Sequence, residues 1–197
     1  MYLHLEDGQH IEGESFGYDG VTSGEVVFTT GMTGYPQSLT DPSFAGQILV
    51  FTYPLLGNYG VPKETLLDKH LMANFESEHI WVSGVIVSSN VETPSHYQMS
   101  ESFSFWLKKH KIPALANIDT RALTQKLREK GVMRGTISKS KTFDWDPSSV
   151  ANLVPRVSLP EVISYKPKKS VGFEMIFISS DRSPFTFIRK NGSISDG

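Results

Sequence analysis

Two long apolar runs dominate the pattern of hydrophobic and polar positions along the chain. Residues 48–53 and 80–88 are rich in β-branched and aromatic side chains, and glycine, proline or polar turn residues bound each run. Runs of this length and composition are typical of buried strands. We therefore predict that both runs lie in the central sheet of one compact domain, which covers residues 2 to about 140.

Shorter patterns predict the remaining strands. Residues 2–6 alternate between apolar and polar positions, Asp7-Gly8 is a strong hairpin turn, and residues 9–16 return as a second strand. Further strands are predicted over residues 24–30, 112–118 and 132–138. Gly84, inside the second apolar run, suggests a bulge or a close approach of the backbone. Residues 61–79 show no clear period, and we expect at most a turn or two of helix there.

Two helices are predicted in the second half of the domain. Ser100 can cap the first, and the basic residues 108–111 then meet the negative end of its dipole as a solvated C-terminal turn. Its apolar stripe consists of Phe103, Trp106 and Leu107. Asp119 can cap the second helix, and Gly131 ends it in a left-handed conformation. The apolar face of this second helix consists of Ala122, Leu123 and Leu127.

Residues 31–60 are unusual because they hold five glycines and three prolines around one apolar run. Both residue types specify backbone shape, so this stretch predicts shaped loops around a buried strand. Thr33 can cap a short helix, which the sequence Asp41-Pro42-Ser43 should end. The short side chains of Asp41 and Ser43 can bind nearby backbone or a ligand. A turn that satisfies its own hydrogen bonds is the simpler interpretation.

Strands outnumber helices, and hairpins mix with strand–helix–strand passages. This pattern predicts an α+β fold, with a sheet or partial barrel flanked by a few helices. The composition changes after the predicted domain, so we expect residues 141–170 to form a linker and residues 171–197 an atypical tail. Two apolar segments of the tail, residues 173–179 and 185–190, can pair as strands. Without a third strand or a covering helix, the chain beyond about Ser170 should be poorly ordered or weakly packed.

Composition limits the possible chemistry. The 197 residues include no cysteine, which excludes disulfides, thiolate metal sites and a cysteine nucleophile within this polypeptide. The six histidines are scattered without metal-ligand spacing, so we predict no metal site, and no other constellation predicts a catalytic residue. A net charge of −2 offers no basic surface for nucleic acid or membrane. With neither a signal peptide nor a spanning run, we expect a cytoplasmic protein.

Three motifs carry a resemblance to a known family. The stretch GEVVFTTGMTGYPQSLTDPSFAGQILVFTYPLLGNYGVP, followed by ETPSHY and IDTRALTQKLREKG, resembles the N-terminal domain of the small, glutamine-using chain of carbamoyl-phosphate synthase. The resemblance extends from about Tyr2 to roughly Ser164, and it implies the swivelling β/β/α domain of that family. It also implies that Ser43 corresponds to the serine through which this domain reaches bound glutamine.

The family's activity follows as an expectation. The intact complex makes carbamoyl phosphate from glutamine, bicarbonate and ATP for pyrimidine and arginine biosynthesis. The small chain releases ammonia, and a separate large chain carries out both ATP-dependent steps with ATP and magnesium. The resemblance therefore implies a ligase component that docks the large chain and walls the glutamine site, with no cofactor of its own.

The resemblance fades after about Ser164, where the family continues into a glutaminase domain with a cysteine nucleophile. Because this chain has no cysteine, we expect it to be inactive toward glutamine by itself. A truncated gene, a reading-frame error or an altered end would each account for the difference. Two other functions remain open, namely a stand-alone interaction module without catalytic activity and a nonfunctional gene remnant.

Overall fold

The computed structural model describes residues 1–68, 70–96, 99–140, 145, 152–159 and 163, together with the backbone of 164, 175–180 and 183–189. Contacts divide the chain into two compact units, Met1–Ala151 and Asn152–Gly197. The predicted linker over residues 141–170 lies largely outside the described residues and stays a prediction.

The first unit alternates short strands with three helices among its described residues. Its helices are α1 (Tyr35–Thr40), α2 (Phe103–Lys109) and α3 (Thr120–Lys130), with a 3₁₀ helix at Pro42–Phe44. Its strands are β1 (Tyr2–Leu5), β2 (His10–Glu12), β3 (Glu14–Ser15), β4 (Thr22–Thr29), β5 (Ile48–Phe51), β6 (Leu55–Leu56), β7 (Val61–Pro62), β8 (Leu66–Asp68), β9 (Leu71–Met72), β10 (Gly84–Ile86), β11 (Ser89–Asn90), β12 (Met99–Glu101), β13 (Ala114–Ala116) and β14 (Met133–Ser138).

Eight of these strands form one mixed sheet in the order β2-β1-β14-β4-β5-β10-β13-β3. The four strands β4, β5, β10 and β13 are mutually parallel, and the others pair antiparallel. The first and last strands of this order are separated in sequence by Gly13 alone, so the sheet is nearly closed. The Gly13 N–H donates to the Met1 carbonyl at 2.9 Å. A Cβ at Gly13 would lie only 2.9 Å from the Ala116 carbonyl oxygen, which explains why glycine occupies this seam.

The hydrophobic core lies on both faces of the sheet, and β5 contributes to each. Ile48 and Val50 pack in a cluster with Leu123 and Leu127 of α3. The alternate residues of β5 join a second cluster, which contains Phe103, Trp106 and Leu107 of α2. Because side chains alternate across a strand, a strand covered on both faces must be apolar throughout. This confirms the predicted α+β partial barrel, with both long apolar runs in its centre.

Several strand boundaries differ from those predicted. Residues 9–16 do not form one strand, because the chain crosses at Gly13 from β2, which pairs with β1, to β3, which pairs with β13. Gly84 makes no bulge, since it pairs in register with Ile48. It does mark a close approach, because a Cβ there would lie 2.7 Å from the Ile137 side chain. Residues 61–79, for which we expected at most a turn or two of helix, contain the short strands β7, β8 and β9.

Helix starts also require corrections. The N-cap of α2 is Ser102, whose hydroxyl accepts from the Phe105 N–H, and not Ser100. Gly34 in a left-handed conformation, and not Thr33, precedes α1. Asp119 caps α3 as predicted, but Ala122 is exposed, and Leu123 and Leu127 form the buried face with two threonines. Gly131 ends α3 with the predicted positive φ of 86°, although its ψ of −165° lies outside the left-handed helical region.

The second unit contains a short helix and a small antiparallel sheet among its described residues. The helix is α4 (Leu153–Val157), and the strands are β15 (Ile163–Ser164), β16 (Met175–Ser180) and β17 (Ser183–Arg189). The strands β16 and β17 pair, as the two apolar segments predict, and β15 adds the third strand that we did not expect. Side-chain packing beyond Ser170 lies outside the described residues, so its predicted weakness is untested.

Candidate functional site

The predicted turn after α1 is present and closes on its own backbone. Asp41 leaves the helical conformation, with φ −80° and ψ 119°, and its Oδ1 accepts from the Ser43 N–H at 2.8 Å. Ser43 is exposed, and no described residue forms a hydrogen bond with its hydroxyl. The carboxylate of Asp41 therefore satisfies the turn and leaves the Ser43 hydroxyl available to another molecule.

Contacts on the C-terminal side fix this turn against the sheet. Phe44 packs against the core cluster that contains α2. The Gly46 N–H donates to the Trp81 carbonyl at 2.9 Å, and the Ser83 N–H donates to the Gln47 carbonyl at 2.8 Å. These bonds tie the segment before β5 to the segment before β10. The segment that follows Ser43 is consequently fixed to the segment that leads into β10.

On the other side of the turn, Tyr59 anchors the start of α1. Its hydroxyl accepts from the Gly34 N–H at 2.8 Å and from the Tyr35 N–H at 3.2 Å. The rings of Tyr35 and Tyr59 stack with their centroids 4.3 Å apart, and burial raises the pKa of both phenols. A neutral tyrosine from a distant loop thus replaces the side-chain cap that we expected from Thr33.

This geometry does not activate Ser43 as a nucleophile. A serine hydroxyl needs a base within hydrogen-bond distance to attack an amide. Among the described residues, no such base contacts the Ser43 hydroxyl, and Asp41 uses its Oδ1 for the turn. A free hydroxyl both donates and accepts, so it suits a ligand that presents an ammonium or a carboxylate.

A second polar cluster surrounds Glu64 beside a cavity of about 250 Å³. The Glu64 carboxylate accepts from the indole N–H of Trp106 at 3.1 Å, and it contacts Lys109 at 3.3 Å and His110 at 3.1 Å. Burial of this carboxyl favours its neutral form, but the donors from Trp106, His110 and Lys109 outweigh burial and lower the Glu64 pKa. The residues that line the cavity are Thr40, Glu64, Leu66, Met72, Phe75, Glu78, Ile80, Trp106 and His110.

The basic residues 108–111 are mostly exposed, as the interpretation of a solvated turn predicts, but this cluster gives one of them specific partners. Lys109 lies 3.3 Å from Glu64 and 3.4 Å from Glu101, so the C-terminal end of α2 forms ion pairs across the domain. Sequence reasoning missed Glu64 because it lies in the segment without a period. Its partners are separated from it by more than forty positions, and no local pattern connects them.

The histidines are less scattered in space than in sequence. His4 is fully buried, and its Nδ1 lies 2.6 Å from the Nδ1 of His10. In the described part of the chain, no group of three or more histidine, aspartate or glutamate side chains is placed to hold a metal ion. None of the helices that the structure describes has the length and hydrophobicity to cross a bilayer.

Known proteins with similar sequences account for most of the first unit. The family described as carbamoyl-phosphate synthase small chain, CPSase domain, matches residues 3–137. The carbamoyl phosphate synthase small chain of Sulfurisphaera tokodaii is 51% identical over 146 residues, which are 74% of this chain and 38% of that relative. The corresponding protein of Pyrococcus furiosus is 48% identical over 141 residues, again covering 38% of the relative.

Much longer proteins also match. The multifunctional protein CAD of Squalus acanthias is 44% identical over 173 residues, which are 86% of this chain and 8% of that protein. The chain therefore spans well under half the length of each of these relatives. The family match covers more than half of the chain, and it includes the three motifs that carried the resemblance. This chain belongs to the carbamoyl-phosphate synthase small-chain family and carries its N-terminal CPSase domain.

Proposed function

We propose that this chain acts as the N-terminal domain of the glutamine amidotransferase chain of carbamoyl-phosphate synthase. In that role it docks the large synthetase chain and walls the glutamine site during synthesis of carbamoyl phosphate from glutamine, bicarbonate and ATP. The names of the small-chain relatives and the match over residues 3–137 support this assignment. ATP and magnesium would bind the large chain, and the product would supply pyrimidine and arginine biosynthesis.

The observation that carries the glutamine assignment is the state of the Ser43 hydroxyl. It is exposed and has no partner among the described residues, because Asp41 closes the turn through the Ser43 backbone N–H. The alternative, in which the hydroxyl closes its own turn, has no supporting contact there. An exposed hydroxyl on a backbone fixed at both sides is suited to the main-chain groups of an amino acid.

The proposed role of this domain is to position the bound glutamine and to enclose its site. Ammonia released near water is protonated and lost, so a wall that excludes water protects the nucleophile of the next step. The anchoring of the Ser43 turn by Gly46 and Trp81 gives this wall a defined position. Because one wall offers few contacts, free glutamine should bind this chain too weakly to detect.

Joining this chain to a glutaminase domain of the kind that the family resemblance implies, with a large chain present, allows a direct test. Ser43→Ala should raise the glutamine concentration needed for half-maximal synthesis roughly two- to tenfold, the value of one net hydrogen bond of about 0.5–1.5 kcal/mol. Synthesis driven by added ammonia should stay unchanged. Ser95→Ala, which alters another exposed serine, is the matched control. Equal glutamine dependence in both variants would remove Ser43 from the site.

A further inference from the structure

The C-terminal end of α1 is completed by residues far along the chain. The last carbonyl groups of a helix have no partner within the helix and need other donors. Here the Leu39 carbonyl accepts from the Trp81 N–H at 2.9 Å. The Thr40 carbonyl accepts from the Ser77 hydroxyl at 2.7 Å. These two bonds lie directly before the turn that carries Ser43, so they determine how the chain enters that turn.

The hydroxyl of Ser77 forms a bridge between two groups. Its oxygen lies 2.7 Å from the Thr40 carbonyl oxygen and 3.2 Å from the His79 carbonyl oxygen, so its single hydrogen is donated to Thr40, the closer of the two. The indole N–H of Trp81 only donates, and it donates to the Ser77 oxygen at 2.8 Å. Ser77 therefore joins the Trp81 side chain to the last carbonyl of α1.

The same segment also holds the side chain of Thr40. The Oγ1 of Thr40 accepts from the Glu76 N–H at 3.1 Å and donates to the Pro36 carbonyl at 2.9 Å. Thr40 is buried, so these bonds are shielded from competing water. Because residues 76 and 77 bind both its hydroxyl and its carbonyl, Thr40 holds the peptide group that joins it to Asp41 in one orientation.

Trp81 contacts the chain on both sides of the turn. Its N–H donates to the Leu39 carbonyl before the turn, and its carbonyl accepts from the Gly46 N–H after the turn, at 2.9 Å in each case. The backbone that carries Ser43 therefore begins and ends on one residue. The side chain of that residue is in turn held by Ser77.

Ser77 and Ser43 use their hydroxyl groups in different ways. The Ser77 hydroxyl both donates and accepts within the protein, whereas the Ser43 hydroxyl is exposed and has no partner among the described residues. Ser77 is thus placed to act on a ligand through the turn. A binding group is effective when the residues behind it hold it to within about 0.5 Å.

We propose that Ser77 is a positioning residue for glutamine. Through the Thr40 carbonyl and the Trp81 indole, it holds the Ser43 hydroxyl in the orientation that binds the substrate. The inference rests on the proposed function, because it requires that Ser43 binds glutamine. If Ser77 acts only through Ser43, removing its hydroxyl costs no more than removing that of Ser43. A role limited to completing α1 would lower stability and leave the glutamine dependence unchanged.

A double-mutant cycle tests this role in the chain joined to a glutaminase domain, with the large chain present. Ser77→Ala should raise the glutamine concentration needed for half-maximal synthesis about two- to tenfold, and by no more than Ser43→Ala does. Synthesis driven by added ammonia should stay unchanged. In a chain that already carries Ser43→Ala, adding Ser77→Ala should have no further effect, because the two residues act as one unit. Ser95→Ala is again the matched control.

Nuclear magnetic resonance spectra of the whole chain test the bridge without an activity assay. The chain has three tryptophans, so the indole N–H of Trp81 gives one of three signals. Ser77→Ala should shift this signal and speed its exchange with water about two- to tenfold, as the loss of one hydrogen bond implies. Ser43→Ala should leave the signal unchanged. Retained amide protection over Ile48–Phe51 establishes that each variant is folded.

The outcomes distinguish this inference from the proposed function. If Ser43→Ala raises the glutamine requirement and Ser77→Ala does not, the positioning role is wrong and the proposed function stands. If both raise it and their effects add, Ser77 acts independently of Ser43, which also overturns the inference. If Ser43→Ala has no effect, the proposed function fails and the positioning role fails with it. An unchanged Trp81 signal, or loss of protection in β5, in Ser77→Ala would also overturn the inference.

Discussion

Gly24 lies where a single methyl group should be costly. It is buried in β4, and a Cβ there would lie 2.4 Å from the Gly46 carbonyl oxygen and 2.6 Å from the Ser83 Oγ. The Gly46 carbonyl cannot withdraw easily, because the N–H of the same residue donates to Trp81 and the next carbonyl, of Gln47, accepts from Ser83. Overpacking of a core costs about 1–3 kcal/mol. Because backbone forms the hardest contact, we expect Gly24→Ala to lower the free energy of unfolding by about 3 kcal/mol.

Gly31→Ala is the matched control for this substitution. A Cβ at Gly31 would lie 3.5 Å from its nearest atom, an ordinary contact, so the free energy of unfolding should change by less than about 0.5 kcal/mol. Urea unfolding followed by tryptophan fluorescence gives both values from the midpoint and slope. Equal midpoints for the two variants would show that β4 and β5 separate without cost, and the packing argument would be wrong.

The chain alone should release no ammonia from glutamine in a coupled assay, because it has no cysteine; turnover would reveal another nucleophile. In urea unfolding, Ser43→Ala should change stability by less than about 0.5 kcal/mol. Asp41→Ala should lower the free energy of unfolding by about 0.5–2 kcal/mol, because the Oδ1 of Asp41 accepts from the Ser43 N–H. Equal losses of stability in these two variants would contradict the prediction. Hydrogen bonds from Lys126, from Lys130 and from the Gln9 N–H together lower the Asp7 pKa from 3.8 to about 2. The stability advantage of the wild type over Asp7→Asn should therefore shrink as the pH falls through that interval, and a constant difference would refute it.

The centre of the fold was predictable because its determinants are local. The strand β5 is apolar at every position and needs no partner to be recognised. Asp119 lies directly before an amphipathic segment, and it caps α3 as predicted. The predicted helix starts were wrong where contacts with distant residues determine the capping residue. Met99–Glu101 pairs with Val61–Pro62, which keeps Ser100 extended and moves the cap to Ser102.

The contacts around the candidate site also divide into local ones, which the sequence predicts, and distant ones, which it does not. The turn around Ser43 depends on Asp41, two residues before it, so the sequence alone predicts its hydrogen bonding. Glu64 and Trp106 are forty-two positions apart, and His4 and Ser140 are separated by 136. Contacts of that separation leave no periodic trace in one sequence. They follow from the order of strands in the sheet, which local patterns do not specify.

The position of β14 has a consequence for synthesis on the ribosome. This strand pairs on one side with β1, where Tyr2 faces Ser138, and on the other side with β4, where Val26 faces Met133. Until Met133–Ser138 has emerged, β1 and β4 each have an unpaired edge, and such edges invite pairing with other chains. Pairing over so long a separation is also intrinsically slow. A nascent chain that stopped just before Met133 would contain most of the core and still lack the strand that joins its two halves.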